Sequence, residues 1–120
     1  MNKDPAPELS VSDDWYLPKS LSTDGIVAGT IIRGFCHEQG LKYTGGCTIF
    51  KDPLYCGESM GQDSLLIVCH DGAACKPCVS LRDMPGDLEL YESLSQLLEL
   101  AGFYMQECTN WYTAVYRKEE

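Results

Sequence analysis

Apolar positions along this chain of 120 residues follow two different periods. Between Asp87 and Phe103, the residues Leu88, Tyr91, Leu94, Leu98 and Ala101 recur at three- and four-residue steps, the spacing of one buried helix face. Asp87 suits the N-cap, because its carboxylate can accept first-turn N–H groups and complements the positive end of the helix dipole. Gly102 stands where a left-handed residue ends a helix, and Phe103 is placed to pack back against the last turn. This is the one helix the pattern predicts.

Elsewhere the pattern predicts strands and turns. Ile26 to Phe35 is rich in β-branched residues and bounded by Gly25 and Gly34, so it reads as a strand opened by the turn Thr23-Asp24-Gly25. Leu41 to Phe50 reads as a second strand, kinked at Gly45-Gly46. Ser64 to His70 is a continuous apolar run suited to a central position, and Cys78 to Leu81 reads as a further short strand. After the helix, Phe103 to Cys108 and Tyr112 to Arg117 form a hairpin turned at Thr109-Asn110. Tyr112, Ala114 and Tyr116 share one face of its last strand; Thr113, Val115 and Arg117 share the other. Strands in runs, not alternating with helices, predict an α+β domain over residues 21–120. Its sheet is mainly antiparallel, with about five to six strands packed against the single helix of the C-terminal half and closed by the terminal hairpin. Residues 1–20, with Pro5, Pro7 and Pro18 among acids and serines, read as an extended arm. Trp15-Tyr16-Leu17 is the anchor that docks it.

Composition narrows the function. A 44% hydrophobic fraction is that of a folded protein. Eighteen acids against nine bases leave a net charge of −9. That balance disfavours nucleic acid and anionic membrane as direct partners, since both are polyanions, and favours a basic protein. No run reaches the ~18 apolar residues of a membrane span, and the start, Met1-Asn2-Lys3-Asp4-Pro5, is not a secretion signal, so a cytoplasmic location is expected.

Seven cysteines are more than packing requires, and an odd number argues against a complete disulfide framework. Cys69-His70 and Cys75-Lys76-Pro77-Cys78 lie close together, with Cys36-His37, Cys47 and Cys56 upstream. A Cys-x2-Cys turn supplies two ligands of a tetrahedral metal site, so Cys75 and Cys78, completed by Cys69 or His70 and one upstream ligand, define a zinc-stabilised module. In the alternative, Cys47, Cys69 and Cys108 are small buried hydrophobes. A buried strand leading into Cys75-Lys76-Pro77-Cys78 also resembles, over about fifteen residues, the active-site turn of thioredoxin-like proteins. That resemblance implies a helix beginning at Cys75 and a thiol-dependent redox enzyme. Met84-Pro85-Gly86 would end such a helix within two turns, and no proline follows Pro85 to face the cysteines.

The tail from 88 to 118, a helix ending in Leu97-Leu98-Glu99-Leu100-Ala101-Gly102-Phe103 and then a hairpin, looks like the end of many class I methyltransferases. Nothing upstream matches the strand, glycine turn and helix that hold their cofactor, S-adenosylmethionine. No Gly-x-Ser-x-Gly elbow, phosphate loop or His-Glu-x-x-His appears. Glu89, Glu92 and Glu99 lie off the apolar stripe of a helix that has no Lys or Arg, and Asp83 and Asp87 extend the negative surface. The leading expectation is therefore a small acidic, non-enzymatic binding or inhibitor protein without a cofactor. It would engage a basic protein, such as one that handles nucleic acid, through Glu89, Glu92 and Glu99 with Trp111 and Tyr112 as aromatic anchors. In length and charge it is similar to nuclease-neutralising immunity proteins and phage counter-defence proteins.

Overall fold

The computed structural model describes residues 14–55, 61–80 and 88–118. Its first element corrects the sequence reading. Where a strand is predicted over 26–35, helix α1 runs over Thr23–Glu38. Ser22 caps it, its Oγ accepting the Gly25 N–H at 3.1 Å, and Asp24 sits in the first turn. The buried positions Gly25, Ala28, Gly29, Ile32, Phe35 and Cys36 step with a helical period. The β-branched Ile26, Val27 and Ile31 that suggest a strand point partly or wholly outward. Glycine is needed on the stripe because α1 lies hard against the sheet: a Cβ at Gly25 would sit 2.6 Å from the Leu65 carbonyl oxygen.

Strands β1 (Phe50–Lys51), β2 (Leu66–Cys69), β3 (Phe103–Glu107) and β4 (Tyr112–Arg117) form an antiparallel sheet in the order β1-β2-β4-β3. Among the described residues the sheet has four strands, not five to six. The predicted strand over 41–50 survives only at its end. Its backbone bonds instead to the segment before α1: Ile49 N–H donates to Asp14 O at 2.9 Å, and Lys42 O accepts the Trp15 indole N–H at 3.1 Å. Trp15 is thereby fully buried, whereas residues 1–13 of the expected arm lie outside the described residues. The predicted strand at Cys78 is helix α2, a single turn over Lys76–Val79 with Pro77 in its first turn.

Helix α3 (Leu88–Leu100) and the hairpin form where the pattern predicts them, but only part of the expected apolar stripe is covered. Leu94 and Leu98 are buried, Tyr91 is half-buried, and Leu88 and Ala101 are exposed. Gly102 at φ +94° ends the helix, with its N–H on Glu99 O, and Phe103 turns into the core. The Asp87 cap falls outside the described residues.

β2 pairs with β4 through Leu66↔Val115, Ile67↔Ala114, Val68↔Thr113 and Cys69↔Tyr112. The two-residue alternation of strands gives each face its own cluster. Leu66, Val68 and Val115 join Ile32, Phe35, Leu94, Leu98, Phe103 and Trp15 under the helices. Ile67, Cys69, Tyr112 and Ala114 join Cys108 on the opposite face. Both central strands are therefore buried on both faces, which is why β2 reads as an unbroken apolar run. Gly61 covers part of the second face, where a Cβ would come within 2.9 Å of Ile67 Cδ1.

Candidate functional site

Burying Leu94 and Leu98 leaves the opposite side of α3 in solvent. Glu89, Glu92 and Glu99 are exposed there, together with Leu97 at 43% and Leu100 at 86%. Lys118, at the end of β4, forms an ion pair with Glu99 and holds its carboxyl below the ordinary range. Among the described residues no cation pairs with Glu89 or Glu92. The solvent side of α3 thus carries two carboxylates without a cation among the described residues, Glu89 and Glu92, and exposed leucines nearer its C-terminal end.

The expected aromatic anchors are placed differently. Tyr112 is 1% exposed, wedged into the second cluster opposite Cys69, so it cannot meet a partner. Trp111 is half-buried, its ring 4.5 Å from that of Tyr112, and its carbonyl accepts the His70 N–H. The aromatic surface is instead Tyr104 stacked on Tyr116 at 5.5 Å across β3 and β4, with Tyr43 and Tyr55 exposed in loops. The alternation along β3 carried that signal, since it sets Tyr104 on the face opposite the buried Phe103.

The four expected zinc ligands are divided. Cys69 belongs to the cluster on one face of the sheet; Cys75 and Cys78 belong to the helix-side cluster. His70 is committed through Nε2 to Thr113 Oγ1 at 3.2 Å. Among the described residues no three His, Cys, Asp or Glu side chains form a group that could hold a metal ion. What the structure does bring together is Cys36 of α1 with Cys75 and Cys78, all fully buried. Hydrogen bonding to Cys75 and Cys78, then burial, pushes the Cys36 thiol far above its ordinary value. A thiol is nucleophilic as the thiolate, and this environment disfavours the thiolate at Cys36. A helix does begin after Cys75, as the thioredoxin-like turn implies, but it is one turn long and its cysteines face the core.

His70 has its own logic. Thr113 Oγ1 donates to Val79 O at 2.8 Å, so towards His70 that oxygen is an acceptor and Nε2 must carry the imidazole proton. Nδ1 is buried without a partner. Burial, with Lys76 adding a like charge, lowers the His70 pKa to about 4. The ring is neutral and structural at physiological pH.

Surface clefts lie between the Ser20–Ser22 turn and residues 52–54, beside Tyr104 and Tyr116, and between α3 and β3. None of the three is lined by cysteine or histidine. No helix among the described residues is long and apolar enough to cross a membrane. Comparison with protein-family models, curated proteins and solved structures found no significant match to this α+β chain.

Proposed function

We propose that this is a small acidic binding protein, without catalytic activity of its own, that captures a basic protein through the outer face of α3. The observation that carries the reading is that one helix exposes both Glu89 and Glu92, which have no cation partner among the described residues, and Leu97 and Leu100. Carboxylates steer and select a cationic partner, and the leucines supply area that is stabilised only when covered. The net charge of −9 extends the same field over the molecule. Enzymes that handle nucleic acid present cationic surfaces to phosphate, and such a surface is a chemical complement to this helix.

Affinity capture with the intact chain and with a Glu89→Lys/Glu92→Lys variant tests the proposal. Both positions are exposed, so folding is preserved and the basic protein retained by the parent is lost from the variant. The same captured partner at physiological salt from both chains overturns this assignment of the surface. Glu99 is left unchanged in the variant, because reversing it would also break the Lys118 ion pair.

A further inference from the structure

Strand β3 is the last strand of the sheet, and among the described residues none lies beyond it. Its ladder with β4 fixes which backbone groups point where. Lys118 N–H donates to Gly102 O at 2.7 Å and Cys108 N–H to Tyr112 O at 3.2 Å. The even-numbered residues between them, Tyr104 and Gln106, therefore turn their amides towards β4. Phe103 and Met105 turn theirs away, towards the open edge. A groove of about 270 Å³ runs beside this edge, lined by Ser95, Glu99, Phe103, Tyr104, Met105 and Lys118. Glu92, exposed, lies one turn before Ser95 and two turns before Glu99 on α3, so its carboxylate stands on the groove's side of the helix.

We infer that the groove between α3 and β3 takes an extended basic segment of the partner protein, which adds to the sheet as a further strand beside β3. The inference rests on the proposed acidic-binder reading and specifies how the partner is held. Open amides at alternate positions require an occupant in extended conformation, with alternate amides facing the edge. Side chains of an added strand project alternately to the two sheet faces. Those on the α3 side meet Glu92 and Glu99, so they are Lys or Arg, and an incoming guanidinium competes with Lys118 for Glu99. Those on the other side lie beside the exposed ring of Tyr104 and are apolar. A second copy of this chain fits poorly, since it would bring −9 against −9. Edge strands left open in this way are commonly blunted by lysine or proline, and β3, Phe103–Glu107, contains neither.

The probe is a short synthetic peptide of alternating arginine and valine, titrated into the full chain by fluorescence anisotropy. Two N-methylated forms accompany it, carrying the methyl on alternate backbone nitrogens and offset by one residue. The unmodified peptide binds, one methylated form binds at least about tenfold more weakly, and the other binds as the parent does, because only every second amide faces β3. In amide spectra the N–H signals of Phe103 and Met105 shift and become protected, while that of Tyr104 changes little. Binding with the two methylated forms indistinguishable overturns strand addition and leaves the acidic-surface reading standing. No binding of any form at low salt overturns both. Protection of the same amides by concentration-dependent dimerisation, without peptide, assigns the edge to a second copy and overturns the inference.

Discussion

His70 shows how one hydrogen bond sets a titration. Thr113 already donates to Val79, so the imidazole must present Nε2–H and leave Nδ1 a buried acceptor with nothing to accept. Protonating Nδ1 would create a buried cation without a partner, and the folded pKa falls to about 4 from an ordinary 6.5. A lowered folded pKa means that the unfolded chain binds more protons between those values. Stability therefore decreases as pH falls from about 6.5 towards about 4, by up to about 3 kcal/mol for this residue. Denaturant unfolding of the parent and of His70→Gln across that window should show a shallower pH slope in the variant. Equal slopes would assign the loss to the carboxylates. None of this was legible in Cys69-His70, where the neighbouring cysteine drew attention to metal. The deciding groups, Thr113 and Val79, are remote in sequence.

At the scale of elements, α3 and the hairpin were legible because their patterns are local and strong. Leucines at helical steps end in a left-handed glycine, and two strand-like runs flank a turn. Helix α1 was not. Its stripe has a helical period at Gly25, Ala28, Gly29, Ile32, Phe35 and Cys36, but two of its members are glycines and add no hydrophobic signal. The β-branched residues beside them then dominate the local propensity, which tertiary packing overrides. The helix makes different demands at its three glycines. Gly25 faces the Leu65 carbonyl, Gly29 packs against Leu17 and Leu66, and Gly34 has open space around it. Gly34→Ala should stabilise the protein by about 0.5–1 kcal/mol, as expected for alanine in a helix interior. Gly25→Ala should destabilise it despite the same gain in propensity, because the obstruction is backbone. Thermal unfolding of the two variants decides this, and a shift of the same sign in both would refute the close packing of α1 on β2.

Across the whole molecule, the sheet divides the described thiols into two sets. Cys36, Cys75 and Cys78 lie beneath the helices; Cys69 and Cys108 lie on the far face with the half-buried Cys47. Burial raises the Cys47 pKa as well, so even this thiol should react slowly. Alkylation of the native protein near neutral pH, followed by peptide mass mapping, should label Cys47 first among these six. The Cys36, Cys75 and Cys78 set should react together, at rates that follow global unfolding as denaturant is added. Fast native labelling of Cys75 or Cys78 would instead favour the thiol-dependent redox reading. The division itself was hidden in the sequence, because a Cys-x2-Cys spacing says nothing about which side of a sheet a distant strand presents.

The order β1-β2-β4-β3 also bears on how the chain is made. β2 is synthesised before its principal neighbour, residues 112–117, while its earlier neighbour β1 offers only two residues. During synthesis, Leu66, Ile67 and Val68 stay apolar and only partly paired until residues 112–117 are available. In that interval a chaperone has its clearest target, and a premature stop before Tyr112 would leave the nascent polypeptide bound for degradation.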